Sequence, residues 1–157
     1  MKENNGEHPF GDSGQLILLV LFLLIWVVES FFLRISTFLS DDISVYIRLV
    51  ILGLILVTAV YLIRSGHVVA KHEQGSTGVE STGAFQYVRH PLYLGSIMFY
   101  LGLAVSTASL FSIGLVVIIF FFYDYIASYE EKLLEDRCHE EYRNYKIKTG
   151  KWVPRIG

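Results

Sequence analysis

Apolar residues fall into four runs, separated by polar segments of very unequal length. The first run, 15–33, is long enough to cross a hydrocarbon core of about 30 Å at about 1.5 Å per residue. Its centre, 16–28, carries no polar atom except the Trp26 indole. A signal peptide is the rival reading. Lys2 is the only early cation and no small-x-small cleavage site follows, so the run is read as a retained span. Residues 1–14 are polar and contain glycine, and are expected to be flexible. Glu29 inside the first span is read as an interfacial or bundle-facing carboxylate paired with a neighbour, rather than a substrate contact.

A polar link, 36–44, carries Asp41 and Asp42 and leads to a second span over 43–63, with Arg48 able to snorkel outward and Arg64 at its end. Residues 65–89 form the longest polar segment, with His67, Lys71 and His72, too long for a mere linker. The third run, 92–105, is short; an uncharged Ser106-Thr107-Ala108-Ser109 follows, and apolar residues resume over 110–126. One helix of about 35 apolar residues would overshoot the bilayer, so two tilted helices in a hairpin fit better. From 130 to 148 the pattern is charged and helical, with Leu133, Leu134, Tyr142 and Tyr145 recurring at helical spacing. This predicts a surface helix against the cytosolic end of the bundle, with Trp152 beyond it at the lipid head groups. The pattern therefore predicts an all-α integral membrane protein, with about four transmembrane helices including a helical hairpin and a C-terminal cytosolic surface helix. Residues 15–157 form a single domain.

Composition strengthens this reading. Of 157 residues, 53% are hydrophobic and only 18% charged, against about a quarter charged in soluble domains. A net charge of −2 offers no basic field for nucleic acid. The one cysteine, Cys138, excludes an intrachain disulfide and reads as an ordinary packed thiol. His67 and His72, five apart with no nearby thiol or carboxylate, make a weak metal pair, and no metal is expected. Loop cations set the topology: Lys71 and Arg89 lie in the middle loop, and Lys132, Arg137, Arg143, Lys146, Lys148, Lys151 and Arg155 in the tail, while the hairpin turn has none. By the positive-inside rule the middle loop, the tail and the N-terminus are cytosolic. Arg89-His90 and Glu130-Glu131 then meet on one face.

That meeting is the candidate site. Pro91 suits the first turn of a helix, whose N–H groups and positive dipole end favour a carboxylate. Glu130 and Glu131 could hold an ammonium or ribose hydroxyls, and Phe85, Tyr87 and Tyr93 could cover an adenine or a sulfonium. These parts match S-adenosylmethionine. Each feature alone has a plain structural account: an Arg-His anchor, an interfacial tyrosine, the solvated end of a helix. Their joint occurrence on one face favours a site.

At these residues the chain resembles the isoprenylcysteine carboxyl methyltransferases and the related phospholipid methyltransferases, integral membrane enzymes dependent on S-adenosylmethionine. The resemblance covers about 66–154. It rests on His67-Val68-Val69, Thr82-Gly83-Ala84-Phe85, Arg89-His90-Pro91-Leu92-Tyr93-Leu94-Gly95, Glu130-Glu131, Glu141-Tyr142-Arg143-Asn144-Tyr145-Lys146 and Val153-Pro154, in that order. It implies cofactor contacts at Thr77, Gly78, Val79, Glu80, Phe85, His90, Pro91, Leu92, Tyr93 and Glu130, with Glu131 adjacent; Tyr87 joins them from the aromatic reading above. Three positions depart from the family pattern. A cofactor-contacting glutamine aligns with Ala70, a tyrosine with Phe85, and the arginine that eukaryotic members link to their prenylcysteine substrate falls near Ile126. Asp124, Tyr125 and Tyr129 offer no replacement cation there.

The resemblance implies in-line methyl transfer to a lipophilic small molecule or lipid-modified acceptor, in a bacterial or archaeal inner membrane or the endoplasmic reticulum. Arg89 and Glu131 are the candidate catalytic residues, Glu131 as a base only for an amine or thiol acceptor. Two other classes compete: a sterol-reductase-like enzyme using NADPH, for which the chain is short, and a non-catalytic membrane scaffold with a decayed site.

Overall fold

The computed structural model describes residues 11–72, 79 and 81–155; most of the expected flexible N-terminus lies outside them. Helix α1 is Gly11–Val27 and passes without a break into a π-helical turn, Val28–Leu33. A 3₁₀ turn at Phe38–Ser40 leads to α2, Val45–His72. A second 3₁₀ turn, Gly83–Gln86, precedes α3, Pro91–Thr107, and α4, Leu110–Lys148. No strand occurs among the described residues; Val88 and Gly150 form one isolated parallel bridge.

Three helical segments are long and apolar enough to cross a membrane: Ser13–Leu33, Val45–Val69 and Leu110–Lys148, with mean hydropathies of 2.9, 2.4 and 2.2. Helix α3 is apolar but shorter. Leu16, Val20 and Leu24 on α1 and Leu54, Val57 and Val60 on α2 are exposed, as side chains solvated by lipid would be. Among the contacts between helices, α2 against α3 is the most extensive. Close approach there depends on small residues. A Cβ on Gly95 would lie 2.7 Å from Ile63 Cγ1 and 3.0 Å from the Ala59 carbonyl, and one on Gly66 2.8 Å from Leu92 Cγ. Phe22, Ile97, Tyr100, Ala104, Val116, Ile119 and Tyr123 form the core between α1, α3 and α4.

Four expectations need correction. Helix α1 begins at Gly11, so 11–14 are helical rather than flexible. Residues 65–72, expected in the polar loop, are the last turns of α2. Their polarity is used in packing: Ser65 Oγ accepts from the Ala84 N–H at 2.8 Å, and Gly66 receives Leu92. Ser106 and Thr107 belong to α3, leaving Ala108, with φ of 51°, and Ser109 as the hairpin turn.

The fourth correction concerns α4. Nothing interrupts it between Ile126 and Glu130, so the charged helix is not a separate element. The break falls at His139, with φ 44° and ψ −113°. In a straight helix, positions 131 and 146 would lie about 22 Å apart. Lys146 Nζ is instead 3.7 Å from Glu131 Oε2 and 3.2 Å from Glu135 Oε2, so the chain folds back at His139. That reversal returns the tail to the base of α3.

At the opposite end of α3, Glu29 is buried and faces the bundle. It accepts hydrogen bonds from Ser36 N at 2.9 Å, from Ser36 Oγ at 2.5 Å and from the Ser109 hydroxyl. Arg48 donates to the carbonyls of Ser106 at 2.8 Å, Ile43 at 3.2 Å and Ser40 at 3.3 Å. These two groups close the hairpin end with hydroxyls, amides and a guanidinium, consistent with the structural reading of Glu29.

Candidate functional site

The loop before α3 is set by a few local constraints. Gly83 adopts φ of 58°, and a Cβ there would sit 2.8 Å from Ser65 Oγ, so a side chain is excluded on both counts. Tyr145 donates its hydroxyl to the Phe85 carbonyl at 2.6 Å, and the Val79 N–H donates to Glu141 Oε1 at 3.0 Å. Val88 is fully buried. Pro91 then starts α3 at its first position, with His90 as the N-cap residue.

Arg89 and His90 converge on Glu131. Arg89 Nε donates to Glu131 Oε1 at 2.9 Å, while its Nη1 donates to the carbonyls of Thr149 at 2.6 Å and Lys146 at 3.3 Å. Both side chains of the pair are 8% exposed. His90 Nε2 lies 3.2 Å from the same carboxylate oxygen, and Nδ1 lies 3.9 Å from Glu130 Oε2. Tyr93 stacks parallel to the His90 ring at 5.7 Å and donates its hydroxyl to Glu130 Oε1 at 2.5 Å.

Electrostatics follow from this packing. Glu131 lies beyond the apolar stretch 110–126. Burial alone raises its carboxyl, but the hydrogen bonds from His90 and Arg89 and the Arg89 charge outweigh burial and hold it at about 2. Burial pushes the His90 imidazole below its usual range, more strongly than Glu131 raises it. The two ring nitrogens of His90 face the two carboxylates, Nε2 toward Glu131 and Nδ1 toward Glu130. A carboxylate beside an imidazole edge suits a donor-rich group, such as an ammonium or paired hydroxyls.

The expected residues divide into three groups. His90, Pro91, Tyr93, Glu130 and Glu131 come together, with Arg89 behind them. Leu92 turns toward Gly66 of α2, Tyr87 is 51% exposed, and Phe85 is half-buried against Tyr145. Val79 is placed by its backbone bond to Glu141, whereas Thr77, Gly78 and Glu80 lie outside the described residues.

Sequence reasoning missed the tail. Trp152, expected only as a head-group anchor, is half-buried and packs beside the candidate site. Its ring lies 5.9 Å from His90 and 5.5 Å from Phe120, and its Nε1 donates to Asp124 Oδ1 at 2.8 Å. Lys151 Nζ reaches the same Asp124 oxygen at 2.6 Å and Ser128 Oγ at 2.8 Å. A cation therefore does stand beside Asp124, supplied from 27 residues away. Ile126 itself is buried in the bundle. The one signal in the sequence was the tryptophan in a short tail beyond the last helix, and it fits a head-group anchor equally well.

A family model described as phospholipid methyltransferase matches residues 43–140, more than half of the chain. No curated protein and no solved structure matches it.

Proposed function

We propose that this chain, which belongs to the phospholipid methyltransferase family, transfers a methyl group from S-adenosylmethionine to a lipophilic acceptor within the membrane. The family makes it a membrane methyltransferase; the cofactor, the residues and the topology are our reading. The observation that carries it is the cluster at the start of α3, where Glu130 Oε2 lies 3.9 Å from His90 Nδ1 beside stacked Tyr93. This donor and acceptor set fits the cofactor's ammonium or ribose hydroxyls, with aromatic surface for its adenine or sulfonium and the α3 start for its carboxylate.

His90, Tyr93 and Glu130 at the start of α3 would hold the cofactor, which would supply an electrophilic methyl group for the acceptor. The protein's part is alignment and exclusion of water, which supply on the order of 7–11 kcal/mol of barrier reduction. Tyr93 holds Glu130 in place through its hydroxyl. Glu131, with its carboxyl at about 2, is a poor proton acceptor near neutral pH and fixes the His90 ring instead. Arg89, whose guanidinium is spent on Glu131 and two tail carbonyls, positions rather than reacts.

In topology we read four spans in a single domain over 15–157: α1 with its π turn, α2, the short α3, and the stretch 110–126 of α4. Past 126 the same helix continues beyond the membrane on the cytosolic side, and the segment after His139 folds back against it. A lipid tail would enter laterally between helices while the cofactor enters from the cytosol.

Calorimetry with S-adenosylmethionine on detergent-purified protein tests the reading, with NADPH as comparator and Glu130→Ala and His90→Ala as variants. Saturable binding of S-adenosylmethionine, lost in both variants, supports the site. A folded wild type that binds neither ligand leaves a scaffold, and one that binds only NADPH leaves a reductase.

A further inference from the structure

Beyond α4, outside the family match at 43–140, residues 149–152 return to the start of α3, and each of the four is held by a contact or a steric constraint. The Arg89 N–H donates to the Gly150 carbonyl at 2.9 Å, Arg89 Nη1 to the Thr149 carbonyl at 2.6 Å, and the Thr149 N–H to the Tyr145 carbonyl at 2.9 Å. At Gly150 a Cβ would meet the Val153 carbonyl oxygen at 1.8 Å, so only glycine allows the turn that follows. Lys151 then spends all three ammonium donors on the Asp124 carbonyl, Asp124 Oδ1 and Ser128 Oγ. Asp124 Oδ1 also accepts from the Trp152 indole.

These contacts aim one side chain. Trp152 lies beside the His90 ring, His90 is only 8% exposed, and Phe120 backs the indole. Tyr93 stacks on His90 as well. A ligand group seated between His90 Nδ1 and Glu130 therefore has Tyr93 and Trp152 as its aromatic neighbours. The indole is only half-buried and keeps surface to offer. A tether that joined only the tail to α4 would need Lys151 alone; the second bond to Asp124 orients the ring.

We propose that residues 149–152 form a strap that completes the cofactor site, with Trp152 as a ligand-contacting residue and Asp124 and Lys151 as the groups that position it. The proposal rests on the cofactor reading above and goes beyond it in assigning a wall of the site to the tail. Aromatic contact of this kind is worth about tenfold in affinity when the ligand is cationic or stacks on the ring.

The chain has two tryptophans, and the other, Trp26, bonds Leu103 O and Thr107 Oγ1 at the hairpin end of α3. Trp26→Phe leaves Trp152 as the single emitter. In that background, S-adenosylmethionine should change the indole emission saturably, with the midpoint that calorimetry gives for wild type. Trp152→Ala should weaken calorimetric binding about tenfold and Trp152→Phe should restore part of it. Asp124→Ala, with Trp152 intact, should shift the emission of the ligand-free protein to the red and weaken binding. Wild-type affinity in Trp152→Ala, or saturation with no change in Trp152 emission, would overturn the strap while leaving the cofactor reading standing. Absence of calorimetric binding by folded wild type would overturn both.

Discussion

Replacing Glu131 with glutamine keeps the size and one acceptor oxygen but removes the charge that compensates Arg89. The guanidinium then stays 8% exposed with only the carbonyls of Thr149 and Lys146 as fixed partners. Holding Glu131 at about 2 instead of the ordinary 4.5 corresponds to roughly 3 kcal/mol of stability at neutral pH. Breaking one side of a buried pair costs about 3–5 kcal/mol, which agrees. The pH dependence has a definite sign. Glu131 is depressed on folding, so its contribution is complete above 4.5 and is lost as pH falls through that value toward about 2. His90 is also depressed, so the unfolded chain takes up its proton first and wild-type stability declines below 6.5; Glu131 raises the imidazole, so its loss deepens that decline in the variant until Glu131 itself is protonated. Thermal unfolding in detergent, followed by circular dichroism across this range, separates the two. The expected result is a Glu131→Gln melting point lower by on the order of 5–10 °C near neutral pH, with the gap closing below 4.5. Equal melting points at neutral pH, or a gap that persists undiminished in acid, would refute the charge-based account of this cluster.

Two further substitutions test other parts of the frame. His139→Gly should raise thermal stability by about 1 kcal/mol, because φ 44° with ψ −113° is a conformation that glycine adopts without strain; a drop in melting point would show that the imidazole itself holds the reversal. Glu29→Ala should cost about 2–3 kcal/mol by leaving the Ser36 and Ser109 hydroxyls and the Ser36 N–H without their acceptor. Calorimetric affinity for the cofactor should stay unchanged, since these groups lie at the hairpin end of α3.

The spans were legible because long apolar runs admit few other structures, and Pro91 marked the start of α3 for a local reason. Two features escaped. Residues 65–72 read as loop because Ser65, Gly66 and His67 look polar or flexible in isolation, yet Ser65 is partnered by Ala84 and Gly66 by Leu92, contacts set by chain 19 or more residues away. The reversal in α4 escaped because His139 has no glycine or proline to announce it. Without that reversal, nothing in the sequence joins Trp152 to Asp124 or Arg89 to Thr149. The Arg-His-Pro and Glu-Glu motifs were readable as a pair because one precedes an apolar run and the other follows one, on the same predicted face. The tail was not, because its place depends on one backbone conformation.

The two ends of α3 are secured by different chemistry, and the difference bears on function. Seventeen helical residues measure about 25 Å, and polar groups secure both ends. At the hairpin end Glu29 and Arg48 meet serine hydroxyls and backbone groups of the turn, an arrangement closed upon itself. At the Pro91 end the anchors are Arg89 and His90 on Glu131, with Glu130 bonded to Tyr93 just above. Of that second set, Arg89 and Glu131 are turned inward on each other and on the tail. Glu130 and the Nδ1 edge of His90 face one another instead, 3.9 Å apart. The inner pair holds α3 and the tail together, so on the proposed reading a ligand at Glu130 would not need to break the bonds that fix the start of the helix.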